Sequence, residues 1–122
     1  MPWTIRYYVE SDGTMPAEEY EDSLPDRMQG RLLGFIEQVA LSEGRIGGRI
    51  FRKCFGSPDL SEIRARVANQ LARSLCARDG DNLILLGGLL KGVDEPTPIA
   101  ALDEAARRLS RYKKTKRTNP PF

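Results

Sequence analysis

The chain has 122 residues, enough for one domain that buries its own apolar core without metal or disulfide staples. Its net charge is only +2, from 19 Lys and Arg against 17 Asp and Glu, so total charge names no partner. With no histidine and two isolated cysteines, Cys54 and Cys76, it offers no structural zinc site and no His-based dyad; two buried free thiols, no metal and no cofactor are expected. The N-terminus is too polar for a signal peptide and no apolar run has membrane-spanning length, so a cytoplasmic protein is expected. Charge is nevertheless unevenly distributed. Residues 10–26 carry seven acids and no base, whereas 107–117 carry seven bases and no acid. Such a split reads either as solvated helix faces with a basic tail, or as a basic end that meets phosphate.

In chain order, "WTIRYYV" (3–9) is β-branched and aromatic and reads as a strand. "AEEYED" after Pro16 reads as a short helical turn. Residues 25–42 form the clearest helix, with Leu24, Met28, Leu32, Phe35, Ile36 and Val39 on one stripe and Ser23 as the expected cap. Gly30 and Gly34, four apart, mark expected close packing on a strand or a partner. "RIFRKCF" reads as a short strand. Two more strands follow at 60–68 and 70–79, then the Asp-Gly turn "DGDN" and a strand at 82–90. That last strand, "LILLGGLL", is a continuous apolar run of the kind covered on both faces. Thr97 is the expected cap of a final helix over 98–113, with a basic tail from about 113. The order predicts a single α+β domain: a small antiparallel sheet with helices packed on one face and the other face partly open.

In "LSEIRARV" the alternation sends Ile63 and Val67 to the core, and Glu62, Arg64 and Arg66 to the opposite, open face, with Arg73 on the neighbouring strand. Clustered guanidiniums repel unless anions balance them. Acidic side chains of the chain, water, or a phosphodiester backbone can each fill that need.

The stretch from "FRKCF" through "LSEIR", "LARSLC" and "LLGGLLKG" to the helix with "EAARR" resembles the RelE/HigB toxin superfamily, and within it the phage-derived HigB-like branch, over about residues 50–112. The resemblance implies a RelE/ParE-like fold. It implies the toxin of a type II toxin–antitoxin system: a metal-independent, ribosome-dependent mRNA endoribonuclease (an mRNA interferase) that inhibits translation. Its partners would be mRNA on the ribosome and a cognate antitoxin, a helix-turn-helix protein encoded next door. Carried over by position, Arg73, Lys91 and Arg66 form the catalytic set. Arg64, Arg66, Lys53 and Arg78 bind RNA, and Leu71 and Leu75 on the open face meet the antitoxin. Arginine stabilises charge but does not transfer protons, so Lys91, with Lys53 and Glu62 as further candidates, is the expected acid–base group. Where many members of the superfamily place tyrosine or histidine near the phosphate, this chain has Leu, Gly or Pro. Two further readings therefore stand beside the nuclease: a ParE-like gyrase-inhibiting toxin, and a catalytically inactive RNA- or partner-binding relative.

Overall fold

Apolar side chains facing both ways along the central strands decide the architecture. The computed structural model describes residues 1–119, with β1 (Thr4–Tyr8), α1 (Pro16–Asp22), α2 (Asp26–Leu41), β2 (Phe51–Cys54), β3 (Ser57–Val67), β4 (Gln70–Asp79), β5 (Asn82–Gly92), α3 (Ile99–Thr115) and β6 (Thr118–Asn119). The six strands form one sheet in the order β2-β3-β4-β5-β1-β6. No helix among the described residues is long and apolar enough to cross a membrane.

From β2 to β5 the chain is an antiparallel meander, and its β4–β5 turn is the expected one, with Gly80 at φ 60°. The expectation of a purely antiparallel sheet is corrected at β1. This strand returns beside β5 and pairs with it in parallel, Ile5 opposite Leu83 and Tyr7 opposite Leu85. The long excursion through α1 and α2 permits this, since a parallel pair needs a crossover that no hairpin supplies.

The expectation that all helices lie on one face is also corrected. Leu83 and Leu85 of β5 join Tyr7, Ile63, Ala65 and Cys76 in a core under α1 and α2, with Leu32, Ile36 and Val39 supplied by α2. Ile84 and Leu86 point the other way, into a second core with Tyr8, Leu60 and Leu75 under Ala105, Leu109 and Tyr112 of α3. Period two along a strand whose residues are all apolar leaves two greasy faces, and each must be covered. No open sheet face therefore remains beneath α3.

Between β4 and β5 the register shifts, and Leu86 is the extra residue. Just beyond it the Tyr20 ring lies against Gly88, where an added Cβ would run into the ring. The Tyr20 hydroxyl donates to the Leu89 carbonyl at 2.7 Å and accepts from the Arg73 N–H at 3.1 Å, which ties α1 to both strands. Other expectations shift locally. Ser23 donates to the Tyr20 carbonyl and does not cap α2, which starts after Pro25. A Cβ added at Gly30 or Gly34 would meet nothing within 4 Å, so these glycines mark no close contact. The helix α3 runs on to Thr115, and Thr118 and Asn119 pair with β1 as a sixth strand; positions 120–122 of the expected tail lie outside the described residues. The acidic and basic ends of the chain partly meet, with Glu10 3.6 Å from Arg108 Nε and 3.2 Å from Arg111 Nη1.

Under α1, the carboxyl of Glu21 is buried and accepts a hydrogen bond from the Tyr7 hydroxyl. Burial, opposed by that hydrogen bond and reinforced by Asp22 and Glu18, raises its pKa from 4.5 to about 7. Between those two values the unfolded chain has released the proton and the folded chain still holds it. Stability is therefore greatest below about pH 4.5 with respect to this group, and falls as pH rises toward 7. Chemical denaturation across this range should show a loss on the order of 3 kcal/mol in the wild type that Glu21→Gln abolishes. Parallel profiles for the two proteins would show that Glu21 is not held protonated.

Candidate functional site

Four charged side chains from three neighbouring strands gather on the α3 side of the sheet. Arg52 on β2 stands opposite Glu62 on β3. Arg64, two residues on, stands opposite Arg73 on β4. Like charges directly across a ladder are destabilising. Glu62, 3% exposed, offsets part of that repulsion. Its Oε1 accepts a hydrogen bond from Arg52 Nε at 3.2 Å and lies 3.3 Å from Arg64 Nε, which is not aligned to donate and has no hydrogen-bond partner.

Arg73 is 2% exposed. Its Nη1 donates to Thr97 Oγ1 at 2.6 Å, and its Nη2 to the carbonyls of Gly92, at 3.3 Å, and Glu95. The Thr97 hydroxyl in turn donates to Glu62 Oε2 at 3.0 Å. Thr97, the expected cap of α3, is thus a relay between guanidinium and carboxylate, and α3 begins after Pro98 with no side-chain cap. Arg73 fastens the loop between β5 and α3, residues 93–98, over the sheet. Only its Nε is left without a partner.

The fastened loop makes one wall of a cleft of about 820 Å³. Arg52, Glu62, Arg64 and Arg73 form its floor, Glu95 and Thr97 belong to the loop wall, and Phe55 and Ile99 stand among its apolar lining. This volume suits a small molecule or one nucleotide. The floor carries three guanidiniums and one carboxylate, and Lys53, Asp94 and Glu95 complete the charged lining. Burial and then Arg52 lower the pKa of Arg64, Glu62 opposes them, and Arg73 adds to the lowering. The guanidinium stays cationic and would gain from an anion. Cys54 also lines the cleft, but burial and then Glu62 push its thiol up to about 11 against the pull of Arg52, so it offers no thiolate.

Of the expected site residues, Arg64, Arg73, Lys53 and Glu62 line this cleft. Lys53 lies at the edge, its Nζ donating to the Pro58 carbonyl at 3.1 Å. Arg66 is exposed and turns back, its Nε donating to the Ala68 carbonyl at 2.8 Å. Lys91 is not among the lining residues; its ammonium, on a side chain 43% exposed, is 4.0 Å from Glu95 Oε2. Arg78 is on the opposite face, its guanidinium 4.6 Å above the Trp3 ring. Leu71 and Leu75, expected on an open surface, are 4% and 2% exposed, because this face is covered. They present no surface to a partner.

Arg52, Thr97 and Phe55 are not among the expected site residues. Alternation places Arg52 and Cys54 on one face, but the register that sets Arg52 against Glu62 depends on an irregularity after Lys53. Pro58, which has no N–H for the ladder, sits in that irregular stretch. Thr97 carried only a capping signal, which its hydroxyl does not serve.

Replacing Arg73 by Met leaves the Gly92 and Glu95 carbonyls without their donor, and should cost about 2–4 kcal/mol of stability. Arg66→Ala, at an exposed site, should stay within about 0.5 kcal/mol of wild type. Urea unfolding of the two variants checks this, and equal stability would show that Arg73 braces nothing.

No protein-family model matches the chain, and no curated protein matches it in sequence.

Proposed function

We propose that the chain is the toxin of a type II toxin–antitoxin pair, acting as a metal-independent, ribosome-dependent mRNA endoribonuclease. The resemblance of residues 50–112 supplies the class. The observation that supports an RNA target is the cluster of Arg52, Arg64 and Arg73 around a single carboxylate on the floor of a cleft. Guanidinium forks match phosphate oxygens, and a partly desolvated site makes that match stronger than it would be in water.

Within this reading the roles divide differently from the alignment by position. Arg64 and Arg52 neutralise and orient the scissile phosphate as the 2′-hydroxyl of the RNA attacks it. Arg73, engaged with Thr97, Gly92 and Glu95, holds the wall of the site. Lys91 lies beside that wall and reaches the reacting atoms only if it leaves Glu95. The antitoxin, proposed as a helix-turn-helix protein encoded next door, would contact exposed residues around the cleft in place of Leu71 and Leu75.

One observation favours a second reading, a ParE-like gyrase inhibitor. Arg73 is closed in, and no side chain on the cleft floor is a free proton-transfer group. Cleavage of mRNA on programmed ribosomes by the purified protein separates the two. The nuclease reading expects cleavage by wild type. Arg64→Ala should lose transition-state stabilisation on the order of 2–4 kcal/mol, while Arg78→Ala is unaffected. Growth arrest with intact mRNA and inhibited supercoiling would transfer the proposal to gyrase. Expression without growth arrest would reject the toxin reading altogether.

A further inference from the structure

The cleft is not uniformly polar. Phe55, at the tip of the β2–β3 hairpin, is 99% exposed, and Ile99, at the start of α3, is 76% exposed; both line the cleft whose floor carries the guanidiniums. A single exposed apolar residue is ordinary. Two of them lining a cleft floored by guanidiniums form an arrangement with a use.

We infer that the cleft holds one unpaired nucleotide of single-stranded RNA, with its base stacked on Phe55 and its phosphate on Arg64 and Arg52. The inference rests on the RNA reading above and names the residue that captures the base. Charge complementarity supports it: on the floor three guanidiniums share one carboxylate, Lys53 adds a fourth cation to the lining against Asp94 and Glu95 of the loop wall, and Arg64 and Arg73 each keep a buried Nε with no hydrogen-bond partner. A ring left almost wholly open to solvent presents a flat face that a flat base can cover. An aliphatic side chain of an acidic peptide covers less of it, which favours the nucleotide. Stacking of this kind tolerates any base, because every base has a π-face. The structure therefore assigns affinity, not sequence choice, to Phe55. Duplex RNA, whose bases are already stacked, should be a poor ligand.

The test is fluorescence anisotropy with the full chain and a labelled single-stranded RNA hexamer, against inorganic polyphosphate as a ligand that has charge but no bases. Phe55 is exposed, so Phe55→Ala should fold like wild type. It should bind the RNA roughly five- to a hundredfold more weakly with unchanged affinity for polyphosphate. Phe55→Tyr should restore RNA binding. The emission of Phe55→Trp should be quenched by the RNA and not by polyphosphate. Arg64→Ala should weaken both ligands and flatten the salt dependence by about one unit. RNA binding by wild type that Phe55→Ala leaves intact would overturn the stacking site while sparing the RNA reading. No RNA binding by wild type even at low salt would overturn the stacking site, and the cleavage assay on programmed ribosomes then decides the RNA reading separately. Displacement of the RNA by an acidic, phenylalanine-containing peptide that binds more tightly and needs Phe55 would reassign the cleft to a protein partner.

Discussion

The buried guanidinium of Arg73 is the constraint on which the rest of the site depends. A charge removed from water must be met by hydrogen bonds or opposite charge, or the fold loses several kcal/mol. Here two loop carbonyls and the Thr97 hydroxyl meet it, and Thr97 passes the link on to Glu62. The backbone N–H of the same residue is held from the other side of the sheet by Tyr20 of α1. One residue therefore ties α1, the sheet and the β5–α3 loop together. The loop can form a wall because Arg73 needs it there.

That arrangement sorts the arginines of the sheet by what they are free to do. Arg73 is committed to the framework. Arg52, with a side chain 52% exposed, and Arg64, at 15%, share one carboxylate and face the cleft. Arg66 returns to its own turn and Arg78 lies over Trp3, so neither adds to the cleft floor. A solvated strand face would have left these arginines alike. The sheet instead gathers Arg52, Arg64 and Arg73 in one concave place.

Much of the fold was legible in the sequence, because strands and helices write their own periods. The strand from 70 to 79 and the stripe of Leu32, Ile36 and Val39 follow from alternation and helical spacing. The layering differs from the expectation although its signal is present in the sequence. "LILLGGLL" was recognised as a run covered on both faces, and adjacent Tyr7 and Tyr8, buried in different cores, carry the same message. A run buried on both sides demands helices on both sides, and one helical layer cannot supply them. The parallel pairing of β1 was not legible, since nothing local in "WTIRYYV" specifies which strand it joins.

The site was legible only in part, for a related reason. Alternation groups Glu62, Arg64, Arg66 and Arg73 on one face, and of these Arg66 folds back onto the Ala68 carbonyl and stays out of the cleft. Arg52 needed an irregular register, Thr97 needed the path of a loop, and the burial of Arg73, Leu71 and Leu75 needed knowledge of what lies above the sheet. Arg78 was one residue out of phase with the cleft, since Ala77 faces α3 and Arg78 faces the other way.

The most direct measurement is a side-chain NMR titration of the arginine Nε–Hε signals with single-stranded RNA. If the cleft on the α3 side is the anion site, the Arg64 and Arg52 signals should move most, with Arg73 following, while Arg78 on the opposite side of the sheet stays fixed. Saturable shifts at Arg78 without any at Arg64 would contradict this placement of the site.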